Sequence, residues 1–248
     1  MGRVAEIWRH PIKAVGREAL EQVSLSEGAC VPWDRHWAVR HDASKASTTE
    51  WSRCGGFNRG ASSPQLMAVT CVFDDSTETI ELAHPKKPRL VANPNTDGAQ
   101  IAEWLTELIP SHRPQPHDVI SVPGTALTDS AFPSISILSL SSLKALSQRA
   151  GLDLDPARFR GNIWLEGFEA WQEEEWVGRT LRLGQVDLEI REPIERCLAT
   201  STSPITGERD VQTLELLEDA RGRREFGLYG VVTKGGLLRQ GDLVNTLP

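Results

Sequence analysis

Residues 189–210, EIREPIERCLATSTSPITGERD, carry the densest chemistry in the chain. Cys197 follows Glu195 and Arg196, so a guanidinium adjacent in sequence can favour thiolate, the form that binds soft metals. Thr200, Ser201, Thr202 and Ser203 then offer hydroxyls and backbone N–H groups to a polar ligand. A free cysteine taken alone is more often a buried filler than a ligand, and its surroundings have to decide. Lys13 and Arg35 fall at strand ends and pair a point charge with a planar fork, which suits a phosphate or pyrophosphate. Equally, Lys13 can be a solvated turn lysine and Arg35 can pair with Asp34 or Asp42. The irregular stretch 51–64, WSRCGGFNRGASSP, reads either as a surface insertion or as a substrate-side lid. In the second case Arg53, Asn58 and Arg59 line a mouth over a polar substrate, and Cys54 is a second, more exposed thiol.

Composition narrows what these groups can serve. A chain of 248 residues with 39% hydrophobic and 25% charged residues is globular, with ample length for one large or two small units. Its net charge of −7 argues against a general nucleic-acid binder, which needs a basic face to displace counterions. The basic run 85–89, PKKPR, reads as a solvated turn between strands. No apolar window approaches a membrane span and residues 1–13 hold charges where a signal peptide is apolar, so a soluble cytoplasmic protein with no membrane partner is expected. Cys30, Cys54, Cys71 and Cys197 show no CxxC pairing, which fits a reducing compartment and disfavours zinc ribbons and iron–sulfur motifs.

The elements that must position these groups are short strands separated by turns, with a few helices. Alternation predicts strands at 4–9, 19–25, 36–40, 66–73 and 79–82, the last two a hairpin around 74–76. An apolar stripe of Ile101, Trp104, Leu105, Leu108 and Ile109 predicts a helix over 97–109, capped by Thr96 or Asp97 and stopped by Pro110. The proline-rich stretch 111–117 reads as a crossover, dividing the chain into 1–115 and 116–248. Beyond it come a strand ending near 138, a helix over 140–150, strands at 163–166, 180–183 and 186–191, and a helix capped by Asp210. Strands at 226–234 and 237–244 complete the pattern. Glu173, Glu174 and Glu175 read as a solvated helical face.

Five pieces in order, PIK, WDRHW, FRGN, RCLATSTSPITG and FGLYG, together resemble the MOSC domain family and its β-rich N-terminal region, especially the amidoxime-reducing group. Ala14 stands where that family has serine, and Gly161 where it has proline. The resemblance implies a mainly β fold with several helices: a MOSC β-barrel over 116–248 and a smaller β-rich N-terminal subdomain over 1–115. It implies a molybdenum cofactor (Mo-molybdopterin), with no call for pyridoxal phosphate, and Cys197 as both metal ligand and catalytic residue. Lys13, Arg35 and Arg160 would then contact the cofactor's anionic tail and Asn162 its ring system, with Arg196, Thr200 and Tyr229 also at the cofactor. The implied activity is reduction of small N-hydroxylated or N-oxide compounds. With no iron–sulfur, haem or flavin motif in the chain, electrons must come from a separate donor protein. A carrier of the cofactor, or of sulfur on Cys197, is the alternative from a different class.

Overall fold

A computed structural model describes residues 2–247. Alternating side chains in β1 (Gly2–Arg9) bury Val4 and Ile7 on one face. Next come β2 (Glu18–Leu20) and β3 (Gln22–Leu25), broken at Glu21, and then β4 (Trp37–His41). β5 (Thr70–Asp74), β6 (Thr79–His84) and β7 (Lys87–Ala92) make an antiparallel sheet, followed by α1 (Gly98–Thr106) and β8 (Pro116–Ser121), which pairs with β4. β9 (Ile135–Ser139), α2 (Leu140–Ala150) and β10 (Ile163–Glu166) form a parallel crossover, and β11 (Thr180–Leu183) and β12 (Val186–Glu195) a hairpin. α3 (Thr213–Arg221), β13 (Glu225–Lys234), β14 (Gly236–Arg239) and β15 (Leu243–Thr246) follow.

The fold is mainly β, as the sequence implies. Seven strands close in the order β10, β9, β13, β12, β11, β15, β1, and β1 pairs back onto β10. Closure gives every strand in the ring a paired neighbour on each side, and inward residues such as Ile7, Ile137, Ile163, Leu188 and Leu228 fill it. β1 is the first strand of the chain, and β3 pairs with β14. The polypeptide therefore starts in the barrel, leaves it to build the β4–β8 part around a second core, and re-enters it at β9. The expected division after residue 115 falls just ahead of β8, whose partner β4 lies on the other side of it.

Local details depart from the sequence reading for identifiable reasons. The strand expected from residue 66 begins at Thr70, because Pro64 opens a 3-10 turn (Pro64–Ala68) that buries Leu66, Met67 and Ala68 together. The run 85–89 is no simple turn: from Lys87 it enters β7, which tolerates Pro88 because it pairs on one side only, with β6. α1 ends at Thr106, ahead of Pro110. Gln212, not Asp210, stands at the start of α3, and Asp210 instead forms a two-pronged ion pair with Arg158 at 2.7 and 2.6 Å. Glu173 is buried and accepts from the Ser142 hydroxyl at 2.8 Å, so the acidic run is not wholly solvated.

Two features aim the chain at the seam between barrel and N-terminal part. On β13, Phe226 and Gly227 together oppose Ile194 of β12, a bulge in which Gly227 has φ +81°. A Cβ there would lie 2.7 Å from Leu138 Cγ and 2.9 Å from the Ile137 carbonyl oxygen. The second is a buried polar network. Asp34 Oδ1 accepts from the His10 backbone N–H at 2.7 Å and lies 3.2 Å from His10 Nδ1, while Oδ2 holds Arg35 Nη1. Arg35 N–H donates to the His10 carbonyl at 2.7 Å, closing the loop. Burial raises the Asp34 carboxyl, but Arg35 and His10 outweigh it and hold the group below the usual carboxylate range. Burial first, then Arg160 and Arg35, push His10 down to about 3.

Gly227→Ala should cost roughly 3 kcal/mol, from a left-handed alanine plus overpacking on Leu138, measured by urea denaturation. A loss below about 0.5 kcal/mol, the ordinary surface level, would contradict the bulge argument. His10 gives a pH signature. Its folded pKa lies below the unfolded value, so its contribution is complete above about pH 6.5 and fades as pH falls towards 3. Calorimetric stability should decline from pH 6.5 to 4, and His10→Gln should remove about one proton's worth of that slope. An unchanged slope would show that His10 is not the titrating group.

Candidate cofactor-binding cavity

A cavity of about 400 Å³ opens along the seam, within the ~300–1,000 Å³ range of small-molecule and cofactor sites. Its wall draws on the 13–14 corner, Arg35, Cys54, residues 59–61, 128–129, 158–160 and 194–197, and Tyr229. Lys13, Arg35, Arg160, Asn162, Arg196, Cys197, Thr200 and Tyr229 all line it. Three lining residues without glycine's freedom have left-handed backbones: Ala14 at φ 63°, Arg35 at 51° and Arg160 at 48°. Each conformation costs on the order of 1 kcal/mol, and such strain concentrates where side chains are aimed at a task.

The cations fall into two groups. Lys13 is buried rather than solvated, and donates to Asp129 Oδ1 at 2.6 Å and to the Leu127 carbonyl at 2.7 Å. Arg35 pairs with Asp34 and also reaches the Arg160 carbonyl at 2.9 Å; Arg158 pairs with Asp210. Arg160 and Arg196 have no carboxylate partner among the described residues. Arg160 Nη1 donates to the Gly16 carbonyl at 3.0 Å, and its Nη2 is buried with no partner. Arg196 donates to the Phe226 and Phe159 carbonyls at 2.7 and 2.9 Å, and its Nη2 is likewise buried and unpaired. Burial, reinforced by neighbouring cations, pushes Arg160 down to about 9, and burial pushes Arg196 to about 10. Buried cations with unmet N–H groups favour whatever anion can reach them.

Cys197 lies two residues beyond β12, heads a 3-10 turn (Leu198–Ser201), and is exposed. Arg196 makes no hydrogen bond to its sulfur, because the guanidinium is fixed on the two carbonyls. The N-terminal part holds the turn after the cysteine: Arg17 donates to the Pro204 carbonyl at 2.8 Å, and Gln65 to that of Gly207 at 2.9 Å. Arg209 donates back to Ala61 at 2.7 Å. Among the described residues no three His, Cys, Asp or Glu side chains gather as a metal-binding group, so a metal on Cys197 needs its remaining ligands from outside the protein. A cofactor bearing its own sulfur ligands and an anionic tail fits that donor set.

Other expected residues have hydrogen bonds the sequence does not reveal. Asn162 Oδ1 accepts from Ser136 N and Oγ at 3.1 and 2.8 Å, and Nδ2 donates to the Trp8 carbonyl at 3.2 Å, leaving one amide hydrogen for a ligand. Thr200 Oγ1 bonds the Cys197 carbonyl at 3.0 Å and Thr213 Oγ1 at 2.6 Å, so its hydroxyl braces the turn. The Tyr229 hydroxyl has no partner among the described residues; burial and then Asp129 raise it, which keeps it a donor. Of the three residues expected at a mouth, only Arg59 lines the cavity, since Asn58 is buried and donates to Pro114, and Arg53 lies elsewhere. Cys54 lines the same cavity as Cys197. Nothing local in the sequence signals Asp129 as the partner of Lys13, whereas adjacency signals Asp34, one of the two partners expected for Arg35.

Comparison with known proteins assigns both parts of the chain to described domains. A MOSC domain matches residues 128–245 and a MOSC N-terminal beta barrel domain matches residues 1–111. Mitochondrial amidoxime-reducing component 1 of Homo sapiens is 24% identical, covering 100% of this chain and 83% of its own length. Mitochondrial amidoxime reducing component 2 of Bos taurus is 25% identical over 98% of this chain and 83% of its own. Molybdenum cofactor sulfurase of Drosophila persimilis is 25% identical over 67% of this chain but only 22% of its own length. The solved YUAD protein from Bacillus subtilis aligns over 99% of this chain and 96% of its own at 11% identity, with a TM-score of 0.47. No helix among the described residues is long and apolar enough to cross a membrane. With both domain matches in sequence order around one seam, the chain belongs to the MOSC domain family, and carries the MOSC N-terminal beta barrel domain ahead of its MOSC domain.

Proposed function

We propose that the protein is a molybdenum-cofactor-dependent oxidoreductase that reduces small N-hydroxylated or N-oxide compounds with electrons from a separate donor protein. The observation that carries this reading is one exposed cysteine sulfur sharing a cavity with two buried guanidiniums that lack counter-charges. Relatives named for amidoxime reduction, matched along the whole chain, supply the substrate class. When bound, the cofactor supplies the two-electron, oxygen-removing chemistry.

The chain's own part is to hold, orient and protonate. Cys197 offers the single protein ligand. Arg160 and Arg196 hold the anionic tail through their unpaired Nη2 groups, while Lys13 and Arg35, each already paired with a carboxylate, shape the wall around it. The remaining amide hydrogen of Asn162 orients the ring system, and Thr200 fixes the backbone from which the sulfur projects. Removing the oxygen of an N–OH group takes two electrons and two protons and gives N–H and water. Tyr229 lines the cavity with a neutral hydroxyl, a donor for the departing oxygen. A carrier of cofactor or of sulfur on Cys197 is the competing reading, favoured by the match to sulfurases and by the cysteine's exposure. Turnover of an N-hydroxy compound with an artificial electron donor separates the two, because a carrier retains the cofactor without turnover.

Cys197→Ala should lower that turnover more than about a hundredfold while thermal stability stays within about 0.5 kcal/mol, the surface level. Retained turnover with a large stability loss would make the cysteine a packing residue. Arg160→Met should cut molybdenum and pterin content on purification, read by elemental analysis and pterin fluorescence. Yet it should leave the cofactor-free protein at least as stable, since it removes a buried charge with no partner. Undiminished molybdenum would refute the role of Arg160 in holding the tail.

A further inference from the structure

Six basic side chains line the cavity: Lys13, Arg35, Arg59, Arg158, Arg160 and Arg196. Three have carboxylate partners in Asp129, Asp34 and Asp210, and the tail of the proposed cofactor accounts for Arg160 and Arg196. Arg59 remains. Its guanidinium is exposed, and its one contact is from Nη1 to Cys54 Sγ at 3.6 Å, a weak acceptor. Most of its donors therefore have no partner among the described residues.

The backbone beneath Arg59 is built in, unlike that of a slack surface loop. Phe57 is 1% exposed and packs with Ala38, Ile120, Val122 and Leu127. The Asn58 N–H donates to the Val39 carbonyl at 2.9 Å, and its side-chain amide to the Pro114 carbonyl at 3.2 Å. On the other side Gly60 lies so close that a Cβ would meet Met67 Sδ at 2.5 Å and Ala199 Cβ at 3.3 Å. That contact sets the segment against the turn headed by Cys197, two residues from the sulfur. The Ala61 carbonyl is held by Arg209. Arg59 is thus a planar, always charged fork on a fixed base at the mouth of the cavity, a geometry suited to a carboxylate.

We propose that Arg59 is the specificity-determining residue of this site and that its substrates are oxyanions: N-oxygenated compounds carrying a carboxylate or similar group that Arg59 holds while the N–O group enters the cavity. The assignment of the N–O group rests on the function proposed above; the anion preference rests on Arg59 itself. A bidentate pair displaces the Cys54 contact at little cost, whereas a neutral amidoxime leaves the fork unsatisfied and a cationic one is repelled by it.

The test is calorimetric titration of the protein as purified, with its cofactor content measured, using para-carboxybenzamidoxime and its neutral para-carboxamide analogue. Wild type should bind the carboxylate about tenfold more tightly, and added salt should shrink the difference. Arg59→Gln should abolish the preference, and Arg59→Lys should keep part of it as a point charge without the fork. Equal binding of the two compounds by wild type, or a preference that survives in Arg59→Gln, overturns the proposal. If the preference holds but neither compound is reduced when an artificial donor is supplied, the anion site stands and the reductase reading fails.

Discussion

The site depends on two guanidiniums, those of Arg160 and Arg196, buried without counter-charges at the seam between barrel and N-terminal part. Removing a cation from water costs several kcal/mol after relaxation, and an ion-pair partner normally offsets it. Here the partners are carbonyls of Gly16, Phe226 and Phe159, which supply dipoles but no full charge. Those carbonyls have to be held in place, and the fold does it by covalent and packing constraints rather than by charge. The bulge at Gly227 frees the Phe226 carbonyl, the left-handed turn at Arg160 points its side chain back towards Gly16, and the closed ring of strands prevents either from relaxing.

The topology explains why such a site lies on a seam. Because β1 belongs to the barrel, β2 pairs with it, β3 pairs with β14 and the chain returns to the barrel at β9, the corner after β1, the link from β3 to β4 and residues 122–134 are the crossing segments. Lys13, Arg35 and Asp129 sit on these crossings and meet the barrel residues Arg160, Arg196 and Tyr229. Neither part holds the cavity alone, and the hydrogen bonds from Arg17 and Gln65 to the turn after Cys197 couple the cysteine's position to the N-terminal part. The His10–Asp34–Arg35 network does the same for Arg35. It neutralises that charge while fixing the guanidinium against the Arg160 carbonyl, so Arg35 acts on a ligand mainly through geometry.

What the sequence revealed followed from what is local in it. Alternation located most strands, and the motif around Cys197 pointed to the segment that faces the cavity, because both signals reside within about ten residues of chain. Pairing across the fold was not legible. Asp129 neutralises Lys13 from 116 positions away, Asp210 serves Arg158 rather than a helix start, and Asn162 braces Ser136 and Trp8. In each case a polar residue offered several local uses, and tertiary placement selected one. The errors in local structure had a similar origin: Pro64 and Pro88 are both compatible with turn and strand, and only burial of Leu66 to Ala68 and the open edge of β7 distinguish them.

Burial separates the charges of the cavity by function. The inner cations are fixed by carbonyls, and burial, with Arg35 and Arg17 beside Arg160 and Arg35 beside Arg196, lowers their affinity for the proton and raises the gain from an anion placed against them. A ligand satisfying them must carry its negative charge deep into the site, where screening by salt is weak. Arg59 is exposed and open to screening by salt, so its effect is confined to groups that remain at the mouth, among which it discriminates. One cavity can thus retain a tightly held anionic group and still exchange a second, weaker one, because the two sets of arginines differ in solvation rather than in chemistry.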